Sequence, residues 1–272
     1  MSLSPPEFEF FRGWLRSRCG IALENGKEYL VETRLDKVAR SLALDSPAAV
    51  VRQLRDRPNA ALESAAIEAL TTNETSFFRD WRPFEALHKV VLPSAMQKRG
   101  GERRLDLWSA ACSSGQEAYS LSLLMSERLP DLATWDVHIH CTDLSNEMVA
   151  RTKAGRFSQL EVNRGLPAPL LVKHFRQEGT EWVVSDAHRK RVSATQLNLT
   201  GPWTTLPTMD VIMLRNVLIY FDLPTRKAIL DRARRLLRPG AVLFLGSAET
   251  TVGIHDGFKL EDAGGTTFFR AC

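Results

Sequence analysis

No run in this chain is long and apolar enough to cross a bilayer. The longest, such as Val211-Ile212-Met213-Leu214, fall far short of the roughly 20 residues that a spanning helix needs, and charges interrupt Met1 to Gly20. Neither a membrane segment nor a signal peptide is expected. Cysteine is scarce too. Cys19, Cys112, Cys141 and Cys272 lack metal-ligand spacing, and four thiols in 272 residues do not suggest a disulfide framework. A reducing, cytoplasmic setting fits best. The six histidines form no ligand set: His138 and His140 alternate along one segment, while His88, His174, His188 and His255 are isolated, so no metal is expected. The GxGxxG fingerprint and the P-loop Gly-Lys-Ser/Thr are missing, which argues against dinucleotides and nucleoside triphosphates. There is no internal repeat or low-complexity tract.

What is present supports a packed protein, since 44% apolar content over 272 residues can fill a sizeable core. The net charge of +4 and pI near 9.0 suit nucleic acid, anionic lipid or an acidic protein partner without choosing among them.

The first 80 residues read as an all-α unit. Ser4-Pro5-Pro6-Glu7 is a capping-box arrangement before Phe8, Phe10, Phe11, Trp14 and Leu15, so a helix begins near Pro5. A second spans roughly Lys27 to Leu42, with Val31, Leu35, Val38 and Leu42 at helical spacing and Arg34, Lys37 and Arg40 largely on other faces. Ser46-Pro47 caps a third, and Asn59 to Leu70 supplies a fourth. After Arg103 the pattern alternates between strand and helix: Leu105–Trp108, Glu117–Arg128, Val137–Cys141 and Asn146–Ala154. It resumes with Val211–Leu214, a helix from Pro224 to Leu237 stopped by Arg238-Pro239-Gly240, and Ala241–Leu245. This alternation implies a parallel sheet over residues 81–272. Phe258–Leu260 and Thr267–Phe269 suit a closing hairpin. Trp182–Val184 and Val192–Ala194, flanking the basic turn His188–Arg191, suggest a small antiparallel ribbon at about residues 175–195.

Four segments carry candidate chemistry. The junction Ser109-Ala110-Ala111-Cys112-Ser113-Ser114-Gly115 lets backbone approach a ligand at the carboxyl edge of the sheet, although tight packing alone would also select small residues. Asp143, ending the second strand, is placed to accept ribose hydroxyls or to cap the next helix. Thr71 to Asp80 gathers hydroxyl and amide groups at the domain junction, as a ligand site or as a helix cap with a buried staple. Arg215 and Asn216 emerge from an apolar run and need partners; Tyr220 follows, in a setting where tyrosine is usually core.

On TTNETSFFRD, LWSAACSSGQEAYSLSLLM, CTDLSNEMV, LRNVLIYFD and LFLGSAET, in that order, the chain resembles the chemotaxis receptor methyltransferase (CheR) family over nearly its whole length. The resemblance implies a class I S-adenosylmethionine-dependent methyltransferase (Rossmann-like) α/β domain with a small antiparallel β subdomain, preceded by an all-α, receptor-facing N-terminal domain. It implies that Asn73, Thr75, Arg79, Glu117, Asp143, Asn198, Leu199, Arg215 and Asn216 bind the cofactor, with S-adenosylhomocysteine as product. Asn198 and Leu199 would lie beside the adenine and Arg215 and Asn216 near the methionyl end, with Tyr220 by the reacting centre. Arg79 and Tyr220 would orient the cofactor or the incoming carboxylate. Gln116 and Ser247-Ala248-Glu249 depart from the family's usual residues, and both are read as lying outside the cofactor shell.

The implied activity is glutamate O-methylation of the cytoplasmic domains of methyl-accepting chemoreceptors by a monomer that neither binds nucleic acid nor inserts into the membrane. A glutamate carboxylate, with a pKa near 4.3, is already the nucleophile at neutral pH, so the missing catalytic dyad or triad is expected. Arg34, Lys37 and Arg40 could meet an acidic receptor face or be ordinary solvated charges. The connection Arg176–Glu181 is short for holding a receptor tail peptide, which favours recognition without a tether. The rival functions are a methyltransferase of the same fold acting on RNA or a small molecule, and a cofactor-binding signalling module without activity.

Overall fold

A computed structural model describes residues 3–272. Four helices form the N-terminal unit: α1 (Pro5–Cys19), α2 (Glu28–Ser41), α3 (Pro47–Asp56) and α4 (Ala60–Leu70). Their starts are chemically marked. The Ser4 N–H donates to the Glu7 carboxylate at 2.9 Å, Ser46 Oγ accepts the Ala49 N–H at 3.2 Å, and Asn59 Oδ1 accepts that of Leu62 at 2.9 Å. Phe8, Phe11, Leu15, Val31, Leu35 and Leu62 fill a core of their own between these helices. Gly20 ends α1 at φ 77°, and a Cβ there would stand 2.5 Å from Thr200 Cγ2, so the chain can turn against the second domain only without a side chain.

A broken helix leads into the sheet: α5 (Arg82–Ala86), a π-helical turn Leu87–Val91, and α6 (Leu92–Arg99). Pro93 has no N–H for the Lys89 carbonyl, and the Leu92 N–H reaches back to Leu87, which widens the turn. Next come β1 (Arg104–Ala110), α7 (Gln116–Arg128), β2 (Asp136–Asp143), α8 (Asn146–Ala154), β3 (Arg156–Ser158), α9 (Gln159–Val162), α10 (Ala168–His174) and β4 (Phe175–Glu178). The rest is β5 (Glu181–Val184), α11 (Asp186–Arg189), β6 (Val192–Gln196), β7 (Met209–Leu214), α12 (Leu223–Leu236), β8 (Leu237–Leu245), β9 (Phe258–Asp262) and β10 (Thr267–Ala271).

The main sheet runs β6-β2-β1-β7-β8-β10-β9, parallel through β8, with β10 antiparallel to both neighbours. Its two faces are covered separately. Leu105, Leu107, Val211 and Met213 pack on one side, and Trp108, Ala110, Ile212 and Leu214 on the other. Burial on both faces explains why β7 is apolar almost throughout. Among the described residues no helix is long and apolar enough to cross a membrane.

Two sequence-based expectations are corrected. Val192–Ala194 does not form a ribbon with Trp182–Val184. It lies in β6, parallel to β2, with Val192 opposite Ile139 and Ala194 opposite Cys141. The small antiparallel sheet is β3-β5-β4, starting at Arg156. The physical reason lies at His188, inside the supposed surface turn. His188 is buried in α11, its Nδ1 2.8 Å from Ser122 Oγ and its Nε2 2.9 Å from His174 Nδ1. Burial, reinforced by His174 and Arg191, lowers its pKa to about 4, so it stays neutral at neutral pH and pins the chain back onto α7. The second correction concerns β8, which begins at Leu237 rather than Ala241, because a register shift opposite Met209–Val211 accommodates Pro239 and Gly240.

Candidate active site

β1 lies between β2 and β7, so the loops after these strands diverge and leave a crevice at the carboxyl edge of the sheet. A cleft of about 980 Å³, mouth included, occupies it. Asn73, Thr75, Arg79, Glu117, Asp143, Asn198, Leu199, Arg215, Asn216 and Tyr220 all line this cleft. Among the described residues, three of the eight non-glycine residues with positive φ, Ala111, Ser113 and Asn216, line the cleft, and Phe78, Asp80 and Trp81 lie beside Arg79 in sequence.

Each polar group has a distinct setting. Asp143 is buried, and its two carboxylate oxygens accept the N–H groups of Ser113 at 2.8 Å and Ser145 at 2.9 Å. One acceptor site per oxygen is thereby used, leaving capacity for two further donors. The capping function belongs to Ser145, whose Oγ accepts the Met148 N–H at 3.3 Å. Glu117 accepts Ser109 Oγ at 2.8 Å and Arg215 Nη1 at 2.9 Å. Arg215 also donates through Nη2 to the Asp80 carboxylate at 2.6 Å and the Arg79 carbonyl at 3.0 Å, while its buried Nε–H has no partner. Arg79, by contrast, donates among the described residues only to the Glu74 carbonyl, at 3.1 Å.

Asn198 lines the cleft with its amide already committed: Nδ2 donates to the Arg18 carbonyl at 2.7 Å, and Oδ1 accepts from the backbone and hydroxyl of Thr200. Leu199 presents an apolar wall, its carbonyl held by Arg232 at 2.7 Å. The Asn73 carbonyl accepts Ser113 Oγ at 2.7 Å, joining the interdomain linker to the loop after β1. Tyr220 closes a 3₁₀ turn, and its carbonyl accepts the Ala22 N–H at 2.9 Å.

Several contributors were not legible in the sequence. Cys19 and Ile21 make the N-terminal unit a wall of the cleft. Glu249, read as outside the cofactor shell, holds that shell in place: its carboxylate accepts the N–H groups of Asn216 at 2.8 Å, Gly246 at 2.6 Å and Ile219 at 3.2 Å. Arg34 is not simply a solvated face of α2, because its guanidinium reaches the linker at Thr71 and Thr72. Gln116 stands clear of the cleft, as expected, its Oε1 accepting Ser114 Oγ at 2.8 Å.

These residues fit S-adenosylmethionine. The spare acceptor capacity of Asp143 suits a ribose diol, and the orphaned Nε–H of Arg215 awaits an acceptor such as the methionyl carboxylate. No lysine lines the cleft to meet a phosphate. Burial raises the Asp143 pKa above the ordinary carboxylate value, against the lowering by the Ser145 and Ser113 amides. Hydroxyl donors favour the ionised form, so affinity is present above the raised pKa and is lost as pH falls through it. Calorimetric titration with S-adenosylhomocysteine at successively lower pH should therefore weaken in the wild type and stay flatter in Asp143→Asn. Parallel profiles would refute this assignment.

The comparisons agree with this geometry. The family described as "CheR methyltransferase, all-alpha domain" matches residues 6–71, and "CheR methyltransferase, SAM binding domain" matches residues 73–266. Chemotaxis protein methyltransferase 1 of Pseudomonas aeruginosa is 39% identical, covering 100% of both chains. Chemotaxis protein methyltransferase Cher2 of Pseudomonas putida is 38% identical over 96% of each. The Salmonella typhimurium chemotaxis protein methyltransferase is 32% identical over 96% of this chain and 89% of its own. The fold is that of a class I methyltransferase, and the two family matches abut at the linker that closes its cofactor cleft. The chain accordingly belongs to the CheR methyltransferase family and is an S-adenosylmethionine-dependent methyltransferase.

Proposed function

We propose that the protein methylates glutamate side chains in the cytoplasmic domains of methyl-accepting chemoreceptors, forming γ-methyl esters and S-adenosylhomocysteine. The observation that carries this reading is the contrast between the two arginines of the cleft. Arg215 is ion-paired with Glu117 and Asp80, whereas Arg79 forms no ion pair among the described residues. A cation without a carboxylate partner at the mouth of a cofactor cleft suits an anionic substrate group.

The bound cofactor supplies an electrophilic methyl group on a sulfonium. The protein's own residues then have three tasks. Asp143, Asn73, Thr75, Leu199 and the Glu117–Arg215 pair hold the cofactor, Arg79 and Tyr220 orient the incoming carboxylate, and the linker and Ile21 restrict water. A glutamate with an ordinary pKa near 4.3 arrives ionised, so no proton has to be removed, and alignment supplies the acceleration. Glu117 and Asp143 are tied up in hydrogen bonds, consistent with roles in binding rather than as bases.

In this reading, residues 1–80 face the receptor, residues 81–272 carry the chemistry, and the protein works as a cytoplasmic monomer. Of the three basic positions on α2, Lys37 and Arg40 are exposed; Arg40 is paired with Asp36, and Lys37, with no ion pair among the described residues, is the one left free for an acidic receptor helix. The β4–β5 connection is the two-residue turn Gly179-Thr180, which leaves no long loop for a receptor tail and supports recognition without a tether. Radiolabelled cofactor incubated with receptor cytoplasmic fragments should give a product that releases methanol in mild base. Label transferred instead to RNA, in base-stable form, would favour the rival enzyme, and cofactor binding without transfer to any receptor would favour the silent module.

A further inference from the structure

The basic residue Arg34 of α2 sits where a receptor-facing charge would be expected, yet its donors point inward. Nη1 donates to the Thr71 carbonyl at 2.8 Å and the Ala69 carbonyl at 3.2 Å, and Nη2 to Thr72 Oγ1 at 3.2 Å. All three acceptors lie at the end of α4 or just past it, and Thr71, Thr72 and Asn73 line the cofactor cleft. The far side of the same segment is fixed by Ser113 Oγ, which donates to the Asn73 carbonyl from the loop after β1. The linker is therefore held from both domains, by a guanidinium on one side and a hydroxyl on the other.

From this we infer that Arg34 is a positioning residue for cofactor binding: it sets the height of Thr71–Asn73 over the cleft and so couples α2 to cofactor affinity. The inference rests on the cleft's being the S-adenosylmethionine site and is independent of which substrate is methylated. A planar fork is required, because one group must serve two carbonyls and a hydroxyl at fixed angles. Lysine would keep the charge, and with it both the attraction to the carboxyl end of α4 and any attraction to an acidic receptor, but it would lose the fork.

R34K separates the alternatives. S-adenosylhomocysteine binding measured by calorimetry without receptor should weaken about tenfold in R34K, the scale of losing hydrogen bonds from a charged donor. The KM for S-adenosylmethionine should rise by a similar factor, with kcat within about twofold of wild type. Removing the Thr72 hydroxyl in T72V should weaken binding in the wild type, and the two substitutions should be non-additive, because both remove the Arg34–Thr72 contact. Wild-type product affinity in R34K, whether with a raised receptor KM or with only a lowered melting temperature, would overturn the inference. So would R34K and T72V effects that simply multiply. Failure of the receptor assay with R34K binding still weakened would remove the proposed substrate and leave the Arg34 coupling standing.

Discussion

Arg215→Ala is expected to abolish methyl transfer and to destabilise the fold at the same time. The Arg215 side chain is 2% exposed, and it neutralises Glu117, itself only 13% exposed, while also holding Asp80 and the Arg79 carbonyl. Removing one member of a buried pair strands the other, at a cost of about 3–5 kcal/mol. Most of that cost should appear as a lower midpoint in urea unfolding. Separately, S-adenosylhomocysteine affinity should fall by at least about a hundredfold, since the linker carrying Arg79 and Asp80 loses its anchor. Arg215→Lys should restore little, because a compact ammonium cannot span acceptors that the guanidinium reaches from two separate nitrogens. Unfolding and affinity both at wild-type values in Arg215→Ala would show that the cluster is not what holds the linker down.

Asp143→Ala should produce the second large effect, with a different signature. Its carboxylate accepts the Ser113 N–H, and in the proposed binding mode its remaining capacity meets the cofactor. Losing two hydrogen bonds to a charged acceptor, at roughly 1.5–3 kcal/mol each, predicts a hundredfold or greater loss of affinity for S-adenosylhomocysteine. Stability should fall less than in Arg215→Ala, because the burial that raises the Asp143 pKa already marks the ionised carboxylate as a cost to the folded state. Normal calorimetric affinity in Asp143→Ala would remove this residue from the site.

Much of the fold was legible because local chemistry and tertiary structure agree. The caps at Ser4, Ser46 and Asn59 mark helices that form at those places, and the apolar strands β1, β2 and β7 form a parallel sheet. Legibility failed where partners are distant. Strand β3 has three residues, too few for any periodicity, and β6 is defined by pairing with β2 across a buried histidine chain that no local pattern reveals. The site shows the same division. Ten site residues could be proposed through the family resemblance, and those ten line the cleft. Asp80, Glu249 and Arg34 act through contacts 135, 33 and 37 residues away in sequence, and their character as clamps exists only in three dimensions.

The way the two domains meet bears on attempts to redirect such an enzyme. Ile21 pairs with Phe221, Asn198 is bonded to Arg18, and the N–H of Asn146 at the start of α8 is capped by Glu68 from α4. The N-terminal helical unit is thus not a detachable address label on a self-sufficient catalyst. Exchanging residues 1–71 for another protein's targeting domain would also exchange part of the vessel in which the methyl donor sits. A transplant that keeps Arg18 to Ile21 and the α4 terminus would preserve that vessel, whereas one cut cleanly at the family boundary would trade specificity for leakage.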